Sequence, residues 1–168
     1  AWDVTTGDTG VIVAVIDTGV LRDHPDFAGR LTNTGYDFIR STAISLDGDG
    51  IDNDPDDPGD QATGGSSFHG THVAGTIAAT TNNSEGVAGV TWNTQIMPLR
   101  ALGRGGGTSY DVLQCVRYAA GLTNDSPVVL TEPVDIINLS LGGGGFSQAE
   151  QDVFTQARNR GAIIVAAA

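Results

Sequence analysis

The apolar segment Val11-Ile12-Val13-Ala14-Val15-Ile16 runs directly into the turn sequence Asp17-Thr18-Gly19. A continuous run of β-branched and apolar residues is typical of a parallel strand that is buried on both faces. Three further segments, 95–100, 134–139 and 162–167, carry a similar pattern and predict three more strands. Because helical patterns lie between these strands, the chain predicts an α/β fold with a mostly parallel sheet and crossover helices.

Helices are predicted in the intervals between the strands. The helical segments are 69–79, 108–122 and 147–160. Thr108 or Ser109 is the expected cap of the second helix, and Ser147 with Glu150 forms a capping box at the start of the third. Residues 20–68 are rich in Asp, Gly, Asn and Ser and are predicted to be mostly loop.

The composition describes an acidic globular chain. Its 168 residues carry a formal net charge of −12, which fits one domain or a large part of one. A chain this acidic is not expected to bind nucleic acid, and no apolar run approaches the roughly 20 residues that a bilayer span needs. Residues 47–60 hold seven of the 20 carboxylates, so the charge is concentrated in one loop. Cys115 is the only cysteine and is expected to be buried, or to pair with a cysteine outside this chain.

Two residues indicate nucleophilic catalysis. Asp17 ends a buried strand, and His69 begins a helix after a loop rich in Gly and Ser. We expect Asp17 to lie within hydrogen-bond range of His69, because a helix start facing the strand ends brings them together. A histidine backed by a buried carboxylate is two thirds of a nucleophile-activating triad. The alternatives are an Asp that caps a turn or binds a metal, a zinc pair of His69 with His72, and two core histidines.

Four segments, in this order along the chain, resemble the subtilisin-like serine proteases, the subtilases. They are Val13-Ala14-Val15-Ile16-Asp17-Thr18-Gly19, His24-Pro25-Asp26, His69-Gly70-Thr71-His72-Val73-Ala74-Gly75-Thr76 and Asn138-Leu139-Ser140-Leu141-Gly142-Gly143. The resemblance implies a secreted endopeptidase that cleaves polypeptides. It also implies a three-layer α/β fold with a seven-stranded, mostly parallel sheet that is incomplete in this chain. Residues 1–168 would then be the N-terminal portion of a subtilase catalytic domain.

The resemblance also assigns roles to individual residues. Asp17 corresponds to the triad aspartate, His69 to the triad base and His72 to a structural histidine. Tyr110 corresponds to an aromatic side chain that lines the outer S4 pocket. The segments that clamp the substrate backbone are Gly105-Gly106-Gly107 and Ser140-Leu141-Gly142. Main-chain hydrogen bonds of such segments hold a peptide without reading its sequence.

The family's nucleophile and oxyanion asparagine find no match within residues 1–168. Ser109 is followed by Tyr110, so it does not fit the nucleophile motif of the family. Both groups are expected C-terminal to Ala168, on a missing half of the domain, and a propeptide is a further possible partner. Residues 1–168 alone are therefore predicted not to hydrolyse peptides at an enzyme-like rate.

Calcium is the cofactor that two loops predict. Asp26 resembles a calcium ligand of subtilisins, and the loop 81–87 resembles the loop that closes around the same ion. The implied ligands are the side chains of Asp26 and Asn83 and the carbonyl groups of Thr81, Glu85 and Val87. Oxygen ligands of this kind suit Ca²⁺.

The acidic loop 47–60 is the second candidate calcium site. Seven carboxylates within 14 residues repel one another unless a cation joins them. The spacing is not that of an EF-hand, because Asp52 stands where that loop needs glycine. A solvated acidic loop is the alternative. The candidate ligands are Asp47, Asp49, Asp52, Asp54, Asp57 and Asp60.

Two other functions stay open beside a protease. One is a calcium-binding structural or adhesive module, because Asp-rich strings with Gly and Asn occur in such arrays, although the chain has no internal repeat. The other is a catalytically incomplete subtilase fragment. Fluorophosphonate labelling of the complete protein separates the protease from the module, and an intact mass separates it from the fragment.

Overall fold

Five parallel strands form one sheet at the centre of the computed structural model, which describes residues 1–145 and 147–167. The predicted α/β fold with a mostly parallel sheet is confirmed, although the described residues form five strands rather than the implied seven. The strand order is β2-β3-β1-β4-β5, so β1 is central. The strands are β1 (Ile12–Asp17), β2 (Tyr36–Asp37), β3 (Gln95–Arg100), β4 (Ile136–Leu139) and β5 (Ile163–Ala166).

The helices of the described residues lie close to where the sequence predicts them. Thr108 and Ser147 cap the second and third predicted helices through their hydroxyl groups. β2 and the first helix fall within the segment predicted to be mostly loop, because elements of two and four residues give no periodic pattern. The helices are α1 (Thr42–Ser45), α2 (His69–Ala78), α3 (Ser109–Ala119) and α4 (Gln148–Asn159), with a 3₁₀ turn at Pro25–Phe27.

The side chains of β1 alternate between the two faces of the sheet. Val13 and Val15 belong to an apolar cluster with α2. Ala14 and Ile16 belong to a second cluster with α3 and α4, in which Cys115 is fully buried as predicted. Helices therefore cover both faces and give three layers. No helix in the described part of the chain has the length and apolar character needed to cross a bilayer.

The α2 layer covers β1 and β3 but leaves β5 open. Ile163 lies beside Ile136, which faces the α2 cluster, yet Ile163 is 61% exposed and Val165 is 49% exposed. Within the described residues, β5 is also an edge strand. This apolar edge is the feature of the fold most exposed to association with other chains.

A buried arginine fixes the segment after β2 to the sheet. Arg100 ends β3 and is fully buried. Its guanidinium donates to the carboxylates of Asp37 and Asp47 and to the carbonyl of Ser45. Burial raises the pKa of Asp37 to about 7, while the neighbouring guanidinium acts in the opposite direction. This network holds α1 and the start of the acidic loop against the carboxyl end of β3.

Replacing Arg100 with methionine is expected to lower the free energy of unfolding by about 3–5 kcal/mol, because Asp37 stays buried without its cation. Arg104→Met is the matched control, since Arg104 is exposed and its loss is expected to cost less than about 0.5 kcal/mol. Urea unfolding followed by tryptophan fluorescence measures both variants. Equal midpoints would contradict the structural role of Arg100.

Candidate active site

Asp17 is fixed at the carboxyl end of the central strand. It is the last residue of β1, and only 1% of its surface is exposed. Its Oδ1 accepts the backbone N–H of Thr18 at 2.7 Å. Its carbonyl oxygen accepts the N–H groups of Ala101 and Leu102, which follow β3. The carboxylate therefore has a set direction at the edge of the sheet where ligands of parallel α/β folds collect.

His69 begins α2 and contacts this carboxylate. Its Nδ1 lies 2.8 Å from Oδ1 and 2.9 Å from Oδ2 of Asp17, so the predicted hydrogen bond is present. Burial raises the pKa of Asp17, and the hydrogen bond to His69 partly offsets this. A carboxylate only accepts, so the shared proton is on Nδ1 and the neutral ring keeps its lone pair on Nε2. No described residue forms a hydrogen bond with Nε2, and the side chain is 50% exposed.

The contact depends on a glycine at the second position of α2. A Cβ on Gly70 would overlap the carbonyl oxygen of Gly19 and lie 3.1 Å from the Cβ of Asp17. The N–H of Gly70 donates to Oγ1 of Thr18 at 3.0 Å. The start of α2 therefore rests directly on the turn after β1, and this close approach brings His69 to Asp17.

Two hydroxyl groups of this site were not singled out in the sequence. Thr18 Oγ1 accepts the N–H of Gly70, and Ser66 Oγ accepts the N–H of Phe68 at 2.8 Å. Phe68, the N-cap residue, has no side-chain hydrogen bond to the helix. The pair of serines before a predicted helix start was an available signal, because serine is a preferred capping residue.

A cavity of about 520 Å³ brings the two predicted substrate segments together. Gly105, Gly106 and Gly107 lie on one side, and Leu141 and Gly142 lie on the other. Leu139 and Ala166, near the carboxyl ends of β4 and β5, also line it. This groove is therefore bordered by backbone from two loops, as an extended peptide requires.

Two residues predicted for the groove are not among those that line it. Ser140 accepts the side-chain amide of Asn138 at 3.0 Å. Tyr110 lies between the guanidinium of Arg40, 4.0 Å from its ring, and Asp125, and lines a second cavity. Its role in a substrate pocket stays a prediction. Successive side chains of a helix project about 100° apart around its axis. Ser109, the first residue of α3, lines the groove, whereas the next residue, Tyr110, does not.

The carboxylates of the acidic loop 47–60 bind separate protein donors. Among residues 1–145 and 147–167, no group of three or more His, Cys, Asp or Glu side chains is placed to hold a metal ion. Calcium in this loop stays a prediction. The pairs are Asp47 with Ser45 and Arg100, Asp54 with Arg22, Asp57 with Thr18 and Ser66, and Asp60 with Ser67.

The loop 81–87 closes on Asp26, as the resemblance implies. The side-chain amide of Asn83 and the N–H of Val87 donate to the buried carboxylate at 2.7 and 2.8 Å. These bonds, that of Asn83 first, lower the pKa of Asp26. A Cβ on Gly86 would overlap this carboxylate. The implied carbonyl ligands accept no hydrogen bond from the described backbone; they belong to Thr81, Glu85 and Val87.

His72 does not join His69 in a metal site. It lines a separate cavity of about 450 Å³ with Phe27 and Phe68. His69 is held instead by Asp17, and the described residues hold no third ligand for a zinc pair. The arrangement around His69 fits a general base: a fixed, half-exposed imidazole whose Nε2 forms no hydrogen bond with a described residue.

Comparison with known proteins shows which family the chain is similar to. Residues 8–168 match the subtilase family. The chain is 41% identical to an extracellular protease of Xanthomonas campestris over 179 residues, covering 100% of this chain and 30% of that protein. It is 43% identical to a thermophilic serine proteinase of a Bacillus strain over 169 residues, covering 100% of this chain and 35% of that protein. A protease of Pseudoalteromonas arctica has a solved structure with a TM-score of 0.89 and 42% identity, covering 98% of this chain and 51% of that one.

The chain belongs to the subtilase family. It spans about a third of the length of the two curated relatives and about half of the solved structure. Because the chain belongs to a protease family, its Asp-rich string no longer favours the alternative of a calcium-binding adhesive module.

Replacing Gly70 with alanine is expected to break the contact between Asp17 and His69, because the new Cβ would overlap Gly19. Overpacking of this kind costs about 1–3 kcal/mol of stability. Gly75→Ala in the same helix is the control. A Cβ there meets nothing within 4 Å, so this change is expected to stabilise the protein by about 0.5–1 kcal/mol. Urea unfolding and the NMR signal of the Nδ1 proton of His69 distinguish the two, and similar effects from both would refute the interpretation.

Proposed function

We propose that the natural polypeptide carrying this sequence is a secreted serine endopeptidase. The observation that carries the proposal is the bond between His69 Nδ1 and Asp17, with Nε2 directed to no described residue. The names of the relatives, which include extracellular proteases, support secretion. The triad serine and the oxyanion asparagine are proposed to come from residues C-terminal to this chain.

His69 acts as the proton carrier in this proposal. Its Nε2 accepts the proton of the serine hydroxyl as the oxygen attacks the peptide carbonyl, and the imidazolium then donates that proton to the leaving amine. Asp17 holds the ring in the required tautomer and stabilises the positive charge. Water then hydrolyses the acyl-enzyme by the same proton transfers in reverse.

The groove supports a polypeptide substrate in an extended conformation. Backbone groups of 105–107 and of Leu141 and Gly142 border it from two sides. A peptide lying between them would pair as an added β-strand, through its main chain. This geometry predicts broad acceptance of sequence, with preferences set by the side chains deeper in the cavity, such as Leu113 and Phe154.

Calcium is proposed at the loop that closes on Asp26. A buried carboxylate, together with three carbonyl groups that accept no N–H from the described backbone, supplies the oxygen ligands that Ca²⁺ takes. In the present arrangement Asn83 turns its NH₂ group towards Asp26, so an ion between them requires the amide to present its oxygen. In the acidic loop we propose Asp49, Asp52 and Asp54, which would have to move towards one another around an ion, because the described residues hold no group of three such side chains at one point.

The His69→Ala variant of the natural polypeptide is expected to lose about 10⁶-fold in kcat, because the serine loses its base, and Asp17→Asn about 10⁴-fold. A chromogenic peptide assay and labelling by a fluorophosphonate measure the activity. The zinc chelator 1,10-phenanthroline is the control and leaves the rate unchanged. A wild-type protein that is neither labelled nor active would instead be a noncatalytic member of the family.

Removing calcium is expected to lower the melting temperature, because an ion that binds only the folded state adds about 2.7 kcal/mol at a concentration 100 times its Kd. The Asp26→Asn variant should lose this calcium-dependent shift. Asp23→Asn is the matched control, since Asp23 is exposed in the same segment. Thermal unfolding with calcium, magnesium or EDTA measures the effect. An unchanged melting temperature in EDTA, with no calcium by elemental analysis, would count against both proposed sites.

A further inference from the structure

Asp57 contacts the base of the active site from within the acidic loop. Its Oδ2 accepts the hydroxyl of Ser66 at 2.6 Å and the hydroxyl of Thr18 at 3.2 Å, and its Oδ1 accepts the N–H of Gly59 at 3.0 Å. Its backbone N–H also donates to the carbonyl of Val20, just after the turn that follows β1. Both carboxylate oxygens are thus occupied by protein donors.

The two hydroxyl groups connect Asp57 to the start of α2. Thr18 accepts the N–H of Gly70 at 3.0 Å, and Ser66 accepts the N–H of Phe68 at 2.8 Å. A carboxylate only accepts, so each hydroxyl proton must point at Asp57 and each hydroxyl lone pair at a backbone N–H. Asp57 therefore fixes the orientation of both hydroxyl groups.

His69 lies between the two amides that this connection holds. Phe68 precedes it and Gly70 follows it, and the helix start has no cap from the side chain of its N-cap residue. Orphan N–H groups at a helix start need acceptors. The hydroxyls of Thr18 and Ser66 accept the amides on either side of His69, while the hydroxyl of Ser67, bound to Asp60, accepts the N–H of His69 itself at 3.3 Å. A charged partner strengthens hydrogen bonds of this kind.

We propose that Asp57 is a positioning residue for the base of the protease, holding His69 on Asp17 through the hydroxyls of Thr18 and Ser66. This inference rests on the proposed function. It gives the acidic loop a direct connection to the active site.

The test compares Asp57→Asn with Asp56→Asn in the natural polypeptide. Both remove one charge from the same loop, but Asp56 accepts the N–H of Arg22 and contacts neither hydroxyl. Asp57→Asn is expected to lower kcat about 10- to 100-fold, with KM within about twofold and calcium affinity unchanged. The NMR signal of the Nδ1 proton of His69 should shift or broaden by exchange with water. Asp56→Asn should match the wild type in each measurement.

A double-mutant cycle tests whether Asp57 acts on His69 through the hydroxyls of Thr18 and Ser66. In a Thr18→Val, Ser66→Ala background, Asp57→Asn should lower kcat by no more than about twofold, because its connection is already absent. Thr18→Ser, which keeps the hydroxyl, should retain activity that Thr18→Val loses. If Asp57→Asn does not fold, Ser66→Ala takes its place and should change kcat and the NMR signal in the same direction.

Three results would overturn the proposal. The first is an Asp57→Asn variant with the Nδ1 signal and kcat of the wild type. The second is a loss of kcat from Asp57→Asn that is the same whether or not the two hydroxyls are present. The third is recovery of the activity of Asp57→Asn in excess calcium. If the wild-type protein has no protease activity, the proposed function fails, and the NMR comparison alone then decides whether Asp57 positions His69.

Discussion

The structure of the site depends on one steric constraint, the contact between the start of α2 and the turn after β1. Gly70 has no space for a side chain, because its Cα faces the carbonyl oxygen of Gly19. This contact holds the helix close enough for the His69 ring to reach a carboxylate that is itself buried at the end of the central strand. A single methyl group at this position would separate two parts of the molecule that are 52 residues apart in sequence.

The sequence was sufficient to predict the architecture and the central pair of residues. Asp17 ends a strand and His69 begins a helix, and both elements have a clear sequence pattern. In a parallel sheet the carboxyl ends of the strands and the starts of the connecting helices lie at the same edge. The role of Tyr110 in a substrate pocket stays a prediction, because a neighbouring cavity rather than the groove is the one it lines. The structural roles of Arg100 and Asp57 could not be assigned from sequence, because most of their partners are distant in the chain. A charged residue in a loop or at the end of a strand is ordinarily expected to be solvated.

The acidic loop is attached to the rest of the structure at several places along its length. Near its start, Asp47 shares the buried guanidinium of Arg100 with Asp37. Further along, Asp57 accepts the hydroxyls of Thr18 and Ser66. Between these points Asp52 pairs with Asp37 of β2 through two main-chain hydrogen bonds, and Asp54 accepts the guanidinium of Arg22. Burial, followed by the charges of neighbouring carboxylates, raises the pKa of Asp52. Some carboxylates of this loop thus bind protein donors and stabilise the structure, while others are exposed. The composition of the loop alone does not distinguish these two groups.

The central place of β1 also sets the timing of folding on the ribosome. Among the described strands β1 is synthesised first, and its neighbours β3 and β4 begin only at Gln95 and Ile136. At about 5–20 residues per second, roughly ten seconds pass before both are made. Until β3 is made both edges of this apolar strand are unpaired, and one edge stays unpaired until β4 is made, so α2 has only part of the surface on which it docks. The strand that gives the finished site its rigidity is therefore, in the nascent chain, an exposed apolar segment that a chaperone can cover.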